Sequence, residues 1–340
     1  MNKLMVNEKN EFDEVASIIE TRKRNAYIKV NEELINMYWD VGKYVSEKVN
    51  NSLWGSKTVE NLANYIKMKY PNLSGFDRRG IYRMKQFYEM YCDDEIVSPL
   101  VTQISWSNNL IIMSRTKSTE EREFYIKMCI KNHYKKRELD RQISSAYYER
   151  YMLSSNKANE SITSTVDEDD YPNTKLLDTY SLEFLDLPNE FKEKDLKEAL
   201  IHNMKDFILE IGKDFTFMGE EYCIRVGDED FFIDLLMFNR SINCLVAFEL
   251  KIGKFKPEYI SKMNFYLEAL DRQVKQKDEN PSVGIILCSS KNDEVVEYSM
   301  SRSLSPTMIS NYTLKLPDKK ILEKKLKEIK QLLDNDTINN

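Results

Sequence analysis

Residues 230–251, DFFIDLLMFNRSINCLVAFELK, decide the reading of this chain. Two apolar runs, 231–238 and 245–251, flank the turn-like Arg240-Ser241-Ile242-Asn243. Each run is apolar at odd and even positions alike, which predicts two central strands covered on both faces. A single carboxylate, Asp234, interrupts the first run, and the second closes on Glu249-Leu250-Lys251. An ionised carboxylate in such a setting costs on the order of several kcal/mol unless it is paired or holds a metal. Side chains alternate along a strand, so Glu249 and Lys251 share a face. An Asp on one strand and Glu-x-Lys on the next suit Mg²⁺, which takes oxygen ligands, with an ammonium beside it. The alternative reading is a buried salt bridge between Lys251 and Asp234 that staples the sheet.

The surrounding pattern extends this pair into an α/β layer. A helix is predicted over 196–211, a strand over 221–226, and a turn at Gly227-Asp228. Pro257-Glu258 opens a helix to about Lys275, with proline in its first turn. Residues 282–288, SVGIILC, read as a buried strand, and 293–300 as a short helix. The crossover from Lys251 through that helix to Ser282 permits a right-handed parallel pairing, so the sheet is expected to be mixed.

The first half reads differently. Apolar residues at helical spacing (Ile18, Ile19, Leu34, Ile35, Tyr38, Trp39, Val41, Val45) predict a helix over 14–49. Further helices are predicted over 58–70 and 77–91, with Pro71-Asn72-Leu73-Ser74-Gly75 as the break between them. Ser118 or Thr119 caps another, and a basic helix begins near Lys135. Residues 154–173, SSNKANESITSTVDEDDYPN, are polar with almost no apolar anchor and read as a linker. The expected organisation is a helical domain over 10–153, the linker over 154–173, an α/β domain over 174–316, and an amphipathic helix and tail over 317–340.

Composition narrows the class. The net charge of −6 does not advertise nucleic-acid binding, and a local basic patch suffices for it. No apolar run reaches the roughly 18–20 residues of a membrane span, and the first residues lack a signal-peptide core, so a cytoplasmic protein is expected. Five scattered cysteines form no C-x-x-C pair, which argues against a disulfide framework or zinc knuckle. Cys223, Cys244 and Cys288 lie in apolar runs and read as small core residues. Two histidines, His133 and His202, are too few for histidine-based zinc chemistry.

Taken in order, several strings resemble the YhcG-like family of the PD-(D/E)xK nuclease superfamily. They are Asp230-Phe231-Phe232-Ile233-Asp234-Leu235-Leu236, Phe248-Glu249-Leu250-Lys251, Phe255-Lys256-Pro257-Glu258-Tyr259, Met263-Asn264-Phe265-Tyr266-Leu267, and residues 281–288. Upstream, Tyr38-Trp39-Asp40-Val41-Gly42, Trp54-Gly55, Gly75-Phe76-Asp77-Arg78-Arg79 and Ile104-Ser105-Trp106 resemble that family's helical domain. The resemblance implies an all-helical N-terminal domain followed by a restriction-endonuclease-like α/β domain with a mixed central sheet. It implies Mg²⁺, with Mn²⁺ as substitute, on Asp234 and Glu249, and Lys251 beside the attacking water. A glutamate on the preceding helix often joins such a site, and Glu210 fits that place. The Leu250 carbonyl is a further candidate ligand. Where many relatives carry Gln-x-x-x-Tyr, this chain has Lys262 and Tyr266, so no glutamine role carries over.

The implied partner is nucleic acid, DNA ahead of RNA. Non-catalytic DNA binding or an interaction role on the same fold is the rival, as is an RNA nuclease. Lys254, Lys256 and Lys262 lie near the Glu-x-Lys strand and are candidates to meet phosphates. In the helix after the Pro/Gly break, Ile81, Met84, Phe87 and Tyr91 are expected to face inward, with Arg79, Arg83 and Gln86 outward. That pair of helices could form a helix-turn-helix reader, against the plainer reading of a solvated helical hairpin. The stripe Leu322, Leu326, Ile329 and Leu333 should dock on its own chain, with pairing of two chains into a homo-oligomer as the alternative.

Overall fold

The computed structural model describes residues 2–154, 176–301, 303 and 305–338. The linker expected over 154–173 lies, apart from Ser154, outside the described residues. Packing divides the chain into two compact units, Met1–Leu139 and Asp140–Asn340, an earlier division than composition suggested.

The first unit is helical: α1 (Asn2–Asn50), α2 (Ser56–Lys69), α3 (Arg78–Tyr91), α4 (Trp106–Arg115) and α5 (Thr119–Asn132). The chain passes into the second unit within α6 (Lys136–Ser144). Asp77 caps α3 by accepting the Gly80 N–H at 2.6 Å, and Ser118 caps α5 by accepting the Glu121 N–H. On α3, Ile81, Met84, Phe87 and Tyr91 are buried, as their spacing predicts. The scattered aromatic strings meet here. Tyr38 packs on Phe76 and Trp106, Trp39 on Phe87, and Phe87 on Trp106, at centroid distances of 4.6–5.9 Å. Gly42 lets α1 close on α3, since a Cβ there would lie 2.1 Å from the Met84 carbonyl oxygen. The α2–α3 connection spans residues 70–77. That is longer than the roughly 3–4-residue turn of a helix-turn-helix.

The second unit carries α7 (Tyr147–Leu153), β1 (Thr179–Ser181), α8 (Glu193–His202) and α9 (Met204–Ile211). Then follow β2 (Phe215–Val226), β3 (Glu229–Asn239), β4 (Cys244–Lys254), α10 (Glu258–Gln273), β5 (Asn280–Ser290), α11 (Asp293–Met300), β6 (Thr307–Thr313) and α12 (Lys319–Ile338). The six strands form one sheet in the order β1-β6-β5-β4-β3-β2. β2, β3 and β4 are antiparallel neighbours, while β4, β5, β6 and β1 run parallel, giving the expected mixed sheet. β3 and β4 are interior strands, as their two-faced apolarity requires. Met263, Tyr266, Leu267 and Leu270 of α10 cover one face against Leu236, Ala247, Ile286 and Cys288. Phe207 of α9 packs edge-on against Phe248 of β4.

Two details depart from the sequence reading. The single helix expected over 196–211 is broken at Asn203, whose side chain donates to the Ala199 carbonyl at 2.9 Å. Cys223 is exposed rather than in the core, because β2 is an edge strand, while Cys244 and Cys288 are buried. The start of α12 packs on α7 and pairs Lys319 with the buried Glu149 at 3.4 Å, in line with docking on its own chain. Leu322 and Leu326 are half-buried and Ile329 is exposed. The Leu333 side chain lies outside the described residues.

Candidate active site

The β3–β4 ladder ends with Leu235 paired to Phe248. One step further along the same register stand Asp234 and Glu249. There the backbone pairing stops, and Asp234 Oδ2 accepts the Leu250 N–H at 2.8 Å. Both carboxylates are buried, at 7% and 1% exposure, so each needs a counter-charge. Lysines supply it. Lys197 of α8 lies 2.5 Å from Asp234 Oδ1. Lys251 of β4 and Lys262 of α10 both reach Glu249 Oε1, at 2.8 and 2.6 Å. Lys251 also lies 3.0 Å from Glu193 at the start of α8.

These contacts make one chain of charge: Lys262, Glu249, Lys251 and Glu193, then one turn along α8 to Lys197 and Asp234. Three carboxylates meet three ammoniums, so the site is balanced before anything binds. Burial opposes the charge on Lys251, but the hydrogen bonds and charges of Glu249 and Glu193 outweigh it. The ammonium therefore holds its proton above the ordinary lysine range. Tyr266 donates to the Phe232 carbonyl at 2.6 Å, and burial raises its phenol, with Glu249 and Asp234 adding to the rise against Lys262. The two carboxylates thus act on one phenol.

Among the described residues no group of three or more His, Cys, Asp or Glu side chains is placed to hold a metal ion. Asp234 and Glu249 remain as a pair, and Glu249 Oε2 is buried without a hydrogen-bond partner. A pair of carboxylates fits Mg²⁺, which keeps several waters and completes its shell with substrate phosphate.

Glu210 requires a correction. It is fully buried, and its oxygens are taken by Arg150, by Arg141 at 3.2 Å and by the Ser181 N–H at 2.7 Å. Burial would raise its carboxyl, but the two guanidiniums outweigh that and hold it below the usual range. Glu210 therefore anchors α6, α7 and β1, and the helix glutamate that touches Lys251 is Glu193. Glu193 and Lys197 escaped the sequence reading because EKDLKEALIH looks like a solvated face. Their four-residue spacing, one turn on a helix leading into the sheet, was the available signal.

The other expected residues are spread out. Leu250 is buried and contributes its N–H to Asp234. Lys254, at the end of β4, and Lys256 are exposed, the latter 3.9 Å from Glu258. Lys262 sits on Glu249 itself. In the helical unit, Arg79 is exposed and Arg83 half-buried. Arg83 and Gln86 line a groove of about 300 Å³ with Ser107, Ser114 and Lys136. Among the described residues no helix is long and apolar enough to cross a membrane.

Fold and site together define a PDDEXK-type α/β domain behind a helical module. Residues 173–327 match the family model of the YhcG PDDEXK nuclease domain, and residues 14–150 match that of the DUF1016 N-terminal domain. The chain belongs to the YhcG-like family of this nuclease superfamily. It is 26% identical over 355 aligned positions to the protein named "Putative nuclease YhcG" of Escherichia coli (strain K12), covering 95% of this chain and 94% of that one. Among solved structures, a repair endonuclease from Pyrococcus abyssi shares 16% identity with a TM-score of 0.26, covering 38% of this chain and 50% of that one. A complex of EndoMS with double-stranded DNA shares 17% identity with a TM-score of 0.25, covering 39% and 50%. This chain thus spans about half the length of those structures.

Proposed function

We propose that the C-terminal domain is a Mg²⁺-dependent nuclease that hydrolyses phosphodiester bonds of nucleic acid, DNA ahead of RNA. One observation carries this reading. In a YhcG PDDEXK nuclease domain, two buried carboxylates on neighbouring interior strands are balanced by lysines rather than by a structural partner such as arginine. Asp234 and Glu249 are the residues that would hold the ion, with Mn²⁺ as a substitute, and the Leu250 carbonyl is a third candidate. When bound, the metal would supply charge neutralisation on the non-bridging oxygens and a more acidic water.

The chain's own residues would do the rest. Lys251, its ammonium held by Glu249 and Glu193, would orient or activate the attacking water against the scissile phosphate. Glu193 fixes the Lys251 ammonium, which makes it a positioning residue. Exposed Lys254 and Lys256 would meet flanking phosphates. Arg79 and Arg83 would hold nucleic acid on the helical unit. In support, the groove beside Arg83 and Lys136 has no carboxylate among its lining residues.

The decisive experiment is a cleavage panel of plasmid, linear, branched and RNA substrates, with Mg²⁺ and with EDTA. Cleavage of DNA that needs Mg²⁺ is expected. A chain that binds DNA but cuts none of the panel would return the domain to the non-catalytic reading, and cleavage confined to RNA would reassign the substrate.

A further inference from the structure

We infer that Lys197 and Lys262 are displaceable counter-ions, which make a divalent cation and a nucleic-acid phosphate enter the site as a pair. The inference rests on the metal reading of Asp234 and Glu249 above and goes beyond it. Each ammonium sits on a carboxylate that would hold the cation: Lys197 on Asp234 Oδ1, and Lys262 on Glu249 Oε1, beside the unpartnered Oε2. A cation approaching those carboxylates meets three positive charges already in contact with them, and like charges at such range repel strongly.

The three lysines are not held alike. The Lys251 side chain is 14% exposed and is gripped by both Glu249 and Glu193. Lys197 and Lys262 each rest on one carboxylate and are 25% and 43% exposed. Their flexible four-carbon stems can swing toward solvent while the charge stays nearby. Lys251 therefore stays, and the other two can leave.

Lys197 also has somewhere to go. It lines a cleft of about 450 Å³ in which Lys194 and Lys197 face four carboxylates, Glu198, Glu220, Glu221 and Asp234. A phosphate entering alone would meet that acidic lining, whereas a cation on Asp234 would offset it and release Lys197 toward the phosphate. The exchange conserves pairing: each carboxylate trades an ammonium for the metal, and each ammonium trades a carboxylate for a phosphate. Binding of either ligand favours the other, and the coupling is reciprocal.

The test uses the full chain, Mn²⁺ as the probe, and a phosphorothioate-linked DNA duplex that resists cleavage, with bound Mn²⁺ read by electron paramagnetic resonance. The duplex should tighten Mn²⁺ binding to the wild type by about tenfold. K197M and K262M should each bind Mn²⁺ about tenfold tighter than wild type without the duplex and should lose most of the duplex effect. K197R should behave as wild type, since it keeps the charge. K197Q provides a second neutral variant, and thermal melting checks that each variant is folded. Wild-type Mn²⁺ affinity in folded K197M, K197Q and K262M, with Mn²⁺ binding lost in D234N and E249Q, would overturn the lysine inference alone. Equal Mn²⁺ binding by wild type, D234N and E249Q would overturn the metal reading, and the inference with it.

Discussion

The Asp234 carboxylate replaces a backbone carbonyl in the sheet: its Oδ2 takes the Leu250 N–H at 2.8 Å, where the ladder between β3 and β4 has just ended. The bond fixes the carboxylate beside Glu249, and it ties site geometry to strand pairing. The other Asp234 oxygen is free for a counter-ion and is taken by Lys197. Asp234 thus belongs to the fold through one oxygen and to the site through the other.

That dual role sets the first prediction. D234N and E249Q should each lower kcat for Mg²⁺-dependent cleavage by at least about a hundredfold, because charge at the reacting centre is lost. Asp234→Ala should in addition lower stability in EDTA by about 1–3 kcal/mol, since the buried Leu250 N–H loses its acceptor. Single-turnover cleavage and thermal melting check the two parts. Wild-type cleavage by either conservative variant would show that the site is misassigned.

Glu210 separates anchoring from chemistry. Glu210→Ala leaves Arg150, itself almost fully buried, without its carboxylate. A loss of about 3–5 kcal/mol is expected, as for other broken buried ion pairs. Because the folded-state carboxyl lies below its usual range, its contribution is present above that range and is lost as pH falls through the lowered folded value. Glu210→Gln should therefore be less stable at neutral pH and should flatten the acid limb of the melting curve. At a temperature where the variant is folded, kcat should match wild type. A melting profile parallel to wild type from pH 7 down to pH 3 would contradict this account.

The helical unit offers a steric test. Gly42 sits where a Cβ would meet the Met84 carbonyl carbon and oxygen, at 2.7 and 2.1 Å, and backbone cannot step aside. Gly42→Ala should push α1 off α3 and cost about 1–3 kcal/mol, the usual penalty for overpacking. Gly284→Ala meets mainly the flexible Met263 side chain and should cost less. Chemical denaturation of the two variants would rank them, and the reverse order would refute the packing argument.

Much of this fold was legible because its signals were local. The runs in β3, β4 and β5 are apolar on both faces, and interior strands need that. The inward residues of α3 follow from spacing alone. The strands that escaped detection lack such a signal: β1 has three residues, and β6, TMISNYT, mixes polar and apolar positions. Both are defined by parallel partners far along the chain. Glu210 was misread for a similar reason. Its arginines lie 60 and 69 residues earlier, and nothing in Phe207-Ile208-Leu209-Glu210-Ile211 announces them. Asp234, Glu249 and Lys251 could be picked out because charge in an apolar strand is itself anomalous. Glu193 and Lys197 could not, since charge on a helix is ordinary.

Arg79 and Arg83 bear on the division of labour between the two units. Both lie on α3, Arg79 exposed and Arg83 half-buried one turn before the buried Phe87. Replacing both arginines by alanine removes no fully buried side chain, and stability should change by less than about 1 kcal/mol. If the two side chains neutralise phosphates, nucleic-acid affinity should fall and the slope of log K against log salt should shrink by about two, one for each lost contact. Cleavage at saturating substrate should persist, because the residues proposed for hydrolysis lie in the other unit. Binding isotherms over a salt series, alongside kcat, separate these effects. An unchanged affinity and salt slope would make α3 an ordinary solvated face. A lost kcat at saturation would instead place the arginines in the chemistry and undo the proposed separation of binding from hydrolysis.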